Sequence, residues 1–413
     1  MTLMTRTRLA LAAAGLLLVT AWPAAADESA ANLAASHLEA GTLLAGDAEL
    51  SALLAKDPGN DEARLGLGTI RFVRAVEHLS QGLYRYGLKP PTSFLIPVVR
   101  LPVPENPDPQ PITFQDFRGL LQTFVSDLGS AEVTLALVKS DNVKLVLDLD
   151  KLRYDVRGDG IIGDDQRLVS VIERVTGMTR SMMPSSLVFA FHKGDALWLQ
   201  GYCNLLMAFG DFFLAYDWHE SFDTTFFHFF PKMSSPFRDA LAPVDPNDYF
   251  ASEGAPVADF ISFLHIRWPL TEPARMHEAR DHLKRMIALS RASWAAIEAE
   301  TDNDRNWIPN AKQASPFQSV IVDEKRIAGW RAVLDEADAI LDGKKLVPHW
   351  RLRQGINIRR VFEEPQPFDL VLWITGPAAL PYLEDGPMTT SEEWNRITDS
   401  FGGSFGVYAV WFN

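Results

Sequence analysis

The stretch from Leu197 to Tyr216 constrains this chain more than any other. It is apolar almost all the way round, and only Gln200, Asn204 and Asp211 interrupt it. Those interruptions make it a poor membrane span, which needs about 20 apolar residues in a row. The sequence therefore predicts a helix over 194–217 that other elements must surround. At about 100° per residue, Gln200, Asn204 and Asp211 fall within roughly 40° of one another as a narrow polar stripe. A buried Asp211 must pair with a base, accept backbone hydrogen bonds or hold a proton. The stripe reads either as hydrogen-bonded ties to neighbouring helices or as a polar slot in an aromatic pocket. Gly201 and Gly210 leave room on other faces for close approach of a second element.

Helical spacing recurs elsewhere. Residues 32–56 place Leu33, Leu38, Leu43, Leu44, Leu50, Leu53 and Leu54 at helical intervals, and Asp57-Pro58-Gly59-Asn60 ends the run. A second helix follows, with Ala63, Leu67, Phe72, Ala75 and Leu79 on a period near 3.6. The Asp-Pro-Gly-Asn turn, followed by Ala63, the Leu67-Gly68 pair and an aromatic residue, resembles a tetratricopeptide repeat junction over about 35 residues. No second copy occurs at the expected spacing, so a single helical hairpin is expected over 27–88. Further helices are expected near 114–128, 165–176, 256–267, 272–300 and 322–342.

Residues 89–111 hold eight prolines, Pro90, Pro91, Pro97, Pro102, Pro104, Pro107, Pro109 and Pro111. No helix tolerates that density. The interleaved Phe94, Leu95, Ile96, Val98, Val99 and Leu101 predict an extended segment laid over the main helical domain, which is expected over 112–413. Val143, Leu145, Leu147 and Leu149 recur at every second position, with charged Lys144 and Asp148 between them, a strand signal. The tail holds short apolar runs at 356–358, 368–374 and 407–412, readable as strands or buried turns. The expected class is a mainly helical globular bundle with a few short strands near 143–149 and in the C-terminal tail.

One local motif carries chemistry. Residues 155–166, Asp-Val-Arg-Gly-Asp-Gly-Ile-Ile-Gly-Asp-Asp-Gln, resemble the twelve-residue calcium loop of EF-hand and dockerin modules. Calcium takes six to eight oxygens from such a segment. The resemblance implies a weak calcium site formed by Asp155, Asp159, the Ile161 carbonyl, and Asp164 or Asp165. Gly160 stands at the sharp turn and Ile162 at the core-facing position. Arg157 replaces an acid at the third position and Gln166 replaces the closing Glu. The alternative is a Gly-rich turn with an acidic rim.

Other constellations are weaker. Asp217 and His219, with Trp218, Glu220 and His228, form a polar cluster among aromatic residues. It reads as a helix cap or as the edge of a pocket. His277 and His282 are five residues apart, whereas ligands on one helical face need four. They read as polar surface residues. Gly402–Gly406 fits a nucleophile elbow around Ser404, but no His or acid follows it, so a glycine turn is expected.

The first 26 residues predict export. Arg6 and Arg8 precede an apolar run and an Ala-Ala-Ala cleavage site, with Asp27 and Glu28 beyond it. Removing them leaves 37 basic against 53 acidic residues and takes the net charge from −14 to −16. That disfavours nucleic acid and anionic membranes as partners. Cys203 is the only cysteine, so no internal disulfide holds the fold, and its apolar surroundings predict a buried thiol. The leading expectation is an exported, soluble, non-catalytic binding or scaffold protein that engages another protein or a small molecule. The alternatives are an enzyme whose site is assembled from distant residues and a carrier of an apolar ligand in the aromatic helical layer.

Overall fold

The computed structural model describes residues 29–89, 101–176, 179–180, 183–243, 245, 247–317 and 320–413. The expected signal peptide and the stretch holding Pro90, Pro91 and Pro97 lie outside the described residues.

The N-terminal layer is built from α1 (Ala30–Ala40), α2 (Leu43–Lys56) and α3 (Asp61–Arg85). The run expected as one helix over 32–56 is two. Gly41 adopts a left-handed conformation at φ 71° and ends α1. Glycine takes that conformation without a Cβ penalty. The Asp57–Asn60 turn holds as expected. Asn60 caps α3 by accepting the Ala63 N–H at 2.9 Å. Helix α4 (Phe114–Leu135) begins with a reciprocal capping box between Thr113 and Asp116 and packs along α3.

Strand β1 (Leu145–Asp148) sits inside the alternating run and pairs antiparallel with β2 (Val188–Phe191), Leu145 opposite Phe191. The loop at 155–166 and α5 (Leu168–Thr176) lie between them. The described part of the proline segment, 101–111, forms neither helix nor strand and buries Leu101 and Val103 while leaving Glu105, Pro107 and Asp108 exposed.

Helix α6 (Lys193–Ala215) is the axis of the molecule. It packs against α10 (Pro273–Ala299) more extensively than any other pair of elements meets, and against α4 on another side. The close approaches expected at its glycines occur. A Cβ on Gly210 would collide with Val125 of α4, and one on Gly201 would lie 2.5 Å from the Asn413 side chain. Phe209 departs from the expectation of all-round burial and is exposed.

After α6 come α7 (His219–Thr225), α8 (Pro236–Ala240) and α9 (Tyr249–Leu264), then β3 (Arg267–Trp268) and α10. Helix α11 (Glu324–Leu341) packs on α10. The tail differs from its expectation. The 356–358 run gives a two-residue β4 (Gly355–Ile356) and then α12 (Ile358–Glu363). The 368–374 run gives β5 (Phe368–Asp369) and then α13 (Leu370–Thr375). β6 (Leu383–Glu384) pairs with β4, and β5 pairs with β3. Two further helices follow, α14 (Ser391–Thr398) and α15 (Phe405–Phe412), so the 407–412 run is helical. Asn357 and Asp369 explain two of these switches. Each caps a helix by accepting an N–H three residues on, which converts a short strand into a helix start.

Two large buried cores result, with smaller clusters around Cys203 and around Tyr382. One gathers α1–α4, β1, β2 and the C-terminal half of α6 with α7. The other gathers α10, α11 and α15 around Trp294, Trp330 and Phe412. Trp307 and Phe362 touch both.

Candidate functional site

The polar stripe of α6 faces α10. Asp211 is 1 % exposed and meets Arg275 of α10 at 2.6 Å and His282 Nε2 at 3.6 Å. The His282 Nδ1–H donates to Asn204 Oδ1 at 2.9 Å, and the Asn204 amide donates to the Gln200 carbonyl at 2.9 Å. Asn204 and Asp211 thus form one seam, joined by His282 and Arg275 from sixty or more residues away, and Gln200 enters it only through its main-chain carbonyl. Glu272 extends it by pairing with Arg275 at 3.0 Å and with Arg118. Arg118 of α4 also donates to the Leu214 and Tyr216 carbonyls, so the seam ties the end of α6 to two helices. Burial holds the His282 imidazole below its ordinary value, against the pull of Asp211. The sequence reading placed His282 on a solvated face. Instead it is a largely buried partner of α6. His277 makes a separate contact, to the Glu363 carbonyl.

Asp217 and His219 do not join that seam. The Asp217 carboxylate accepts the His219 N–H at 3.0 Å. The His219 ring stacks on Phe114, and its Nε2 lies 3.3 Å from Asp223. Nearby, Phe114, Phe117, Trp218, Phe222, Phe226 and Phe230 contact one another. These rings fill the interior with each other. The recess beside them, between α7 and α9, is a cleft of about 190 Å³ lined by Glu220, Ser221, Thr224, Ile261, Ser262 and His265. That is smaller than the several hundred cubic ångströms usual for an organic ligand site.

The 155–166 loop closes on its own groups. The two Asp155 oxygens accept the Gly158 and Gly160 N–H groups at 2.8 Å each. Gly158 and Gly160 have φ of 71° and 73°, the turn geometry the motif requires. Asp159 accepts the Ile161 N–H at 2.8 Å. The Ile161 carbonyl accepts the Gln166 amide at 2.7 Å, and Gln166 Oε1 accepts the Val156 N–H at 2.7 Å. Gln166 is buried and spans the loop from one side to the other. Asp164 pairs with Arg153 at 2.8 Å and Arg167 at 3.3 Å, and Asp165 pairs with Arg157. A calcium ion at the named residues would therefore have to displace existing bonds. The oxygens of those residues are committed to backbone donors, to Gln166 and to three arginines. Among the described residues no three His, Cys, Asp or Glu side chains converge as a metal-holding group.

Sequence reading missed several buried or half-buried acids, among them Glu77, Asp195 and Glu300. Glu77 of α3 accepts the Asp155 N–H at 2.6 Å, and burial pushes its carboxyl up to about 7. Asp195 is buried at the start of α6, where Oδ2 accepts the His192 N–H at 2.7 Å. Burial raises its carboxyl well above the usual range. Glu300 accepts the Asn306 amide at 2.8 Å and is pushed up to about 7, again by burial. No local pattern marks these acids, because their burial comes from elements distant in sequence. Cys203 is fully buried as expected, and burial raises its thiol.

The outer surface supplies a different feature. Val257, Phe260, Ile261 and Leu264 of α9 stand at i, i+3, i+4 and i+7 and are 57, 59, 58 and 38 % exposed. A neighbouring side of the helix seats Phe263 against Phe229 and His228. No α9 residue whose side chain is described is fully buried. The Leu370 N–H donates to the Ile266 carbonyl at 3.0 Å, so α13 starts beside the end of α9. It adds the exposed Val371, Leu372 and Ile374. Among the described residues no helix is long and apolar enough to cross a membrane. No protein-family model, curated protein or solved structure matches this chain.

Proposed function

We propose that this is an exported, non-catalytic binding protein that holds another polypeptide on the outward face of α9. The observation that carries this reading is the stripe of Val257, Phe260, Ile261 and Leu264. It has the spacing of a helix-packing seam yet faces solvent. Exposed apolar surface organised in this way marks an interaction site more often than scattered surface residues do. A helix-in-groove partner reads such i, i+3, i+4, i+7 anchors directly. The seam at Asp211 enters the proposal as the brace between α6 and α10, and the 155–166 loop as a clasp held by Gln166. Weak calcium binding at that loop is a separate proposal, motivated by its turn geometry alone.

The test places a photo-crosslinking phenylalanine analogue at Phe260 in producing cells. Polypeptide adducts identified by mass spectrometry are the expected result. Adducts confined to lipid, or none above those from an analogue at exposed Leu44 of α2, would overturn the reading.

A further inference from the structure

We propose that the turn carrying Trp350, Arg351 and Arg353 docks an acidic segment of another polypeptide. This surface stands on residues outside α9 and holds whether or not the α9 stripe binds. The turn is already ordered in the free chain. Val347 and Ile356 exchange backbone hydrogen bonds at 2.9 and 2.8 Å and close a loop of the residues between them. The Leu352 N–H donates to the His349 carbonyl at 3.0 Å. The His349 Nε2–H donates to the Trp373 carbonyl and the Trp350 Nε1–H to the Ile374 carbonyl, each at 3.2 Å. The tip of the loop is thus fastened to the end of α13. Trp350 is nonetheless 78 % exposed, more than any other large apolar side chain among the described residues. A Trp held in place with most of its surface in water adds contact area on binding at little further entropic cost.

Charge names the occupant. Residues 344–362 carry six Lys or Arg and no acid, in a chain of net charge −14. Four of the six are committed inside the fold, Lys344 to Asp342, Lys345 to Glu336, Arg359 to Glu363 and Arg360 to Glu364. Arg351 and Arg353 are exposed and meet no carboxylate among the described residues, and exposed Asp385 just past β6 pairs with neither. The Arg351 guanidinium lies over the Trp350 ring, 5.3 Å from its centre, which sets its donors beside the ring and leaves them open. A guanidinium matches a carboxylate with paired N–H donors. Trp and Arg are also the side chains that most often anchor protein interfaces. An anionic bilayer fits less well, because it takes clusters of about four to eight cations and only two are free in this turn. The net charge of the whole chain opposes nucleic acid.

Fluorescence anisotropy tests the proposal, with the full chain titrated into a fluorescein-labelled peptide of alternating Glu and Leu, and into the same peptide with Gln for Glu. Saturable binding of the Glu peptide alone is expected. Arg351→Ala/Arg353→Ala should weaken it about tenfold or more, and so should Trp350→Ala. The two arginine side chains make no hydrogen bond in the fold, so their removal should leave circular dichroism unchanged. Lys312→Ala/Lys325→Ala removes two other exposed cations and should leave the affinity within about twofold. No saturable binding of the Glu peptide, equal binding of the Gln peptide, indifference to the arginine pair, or an equal loss from the lysine pair overturns the proposal. Co-sedimentation with phosphatidylglycerol vesicles without peptide binding overturns it in favour of a lipid surface.

Discussion

Glu77→Gln should make this protein more stable at alkaline pH while leaving its acid behaviour unchanged. Glu77 is 7 % exposed, and its Oε2 accepts the backbone N–H of Asp155, anchoring the 155–166 loop to α3. Burial lifts its carboxyl from 4.5 to about 7, and the nearby Asp155 charge adds to the rise while His78 and Arg74 oppose it. The linkage follows from the direction of the shift. Below 4.5 the group is protonated in both the folded and unfolded chain, so it costs nothing. Between 4.5 and 7 the unfolded chain loses its proton first, and stability falls as pH rises. Above 7 the full cost is present, on the order of 3 kcal/mol. Glutamine keeps an acceptor for the Asp155 N–H and removes the charge. Urea unfolding at pH 4.5 and pH 8.5 measures the difference. The expected result is a variant close to wild type at pH 4.5 and more stable by about 1–3 kcal/mol at pH 8.5. A variant whose offset from wild type is the same at both pH values, or which is less stable at pH 8.5, refutes the reasoning.

Three further outcomes are expected. Arg275→Met should lower stability by about 3–5 kcal/mol in urea unfolding, because it strands the buried Asp211 carboxylate. Asp211→Asn, which keeps shape and removes charge, should cost less, about 1–3 kcal/mol. If neither variant moves the midpoint, the α6–α10 seam is not a brace. The weak-site proposal expects only a small rise in wild-type melting temperature at roughly 10 mM calcium and a larger one for Arg157→Asp combined with Gln166→Glu; no rise in wild type would leave the loop a turn only. A clear rise for wild type would show that calcium displaces the Gln166 clasp. Mass spectrometry of exported material should find Asp27 at the N-terminus, and material beginning at Met1 would reject the export proposal.

Much of the helical architecture was legible because it rests on local rules. The greasy run at 194–217 had to be covered, and α6 is packed by α4 and α10 with Phe209 left exposed. The Asp57–Asn60 turn carried its own N-cap and produced the α2–α3 hairpin. The alternation at 143–149 produced β1. Where local rules tie, the sequence was ambiguous. The tail runs at 356–358 and 368–374 suit a strand or a helix, and the Asn357 and Asp369 caps decided for helix after two residues of strand.

The candidate sites divide along the same line. The sequence by itself determined that Asp211, Asn204 and Gln200 share one face, because 100° per residue fixes their angles whatever surrounds them. It also determined the 155–166 turn, since the Asp155 oxygens and the glycines at 158 and 160 act within six residues of chain. Only the tertiary structure decided what those groups meet. Arg275 and His282 reach Asp211 because α10 lies along α6, and Glu77 is buried because the loop folds over α3. Whether the α9 stripe is core or surface was likewise undecidable from its spacing, since an apolar period states that a face wants cover and leaves open which element provides it. In this fold, among the described residues, Val257, Phe260, Ile261 and Leu264 all stay exposed, although Ile261 also lines the cleft beside α7. Burial and pairing depend on contacts far apart in the chain, and these are set by how the whole set of helices packs.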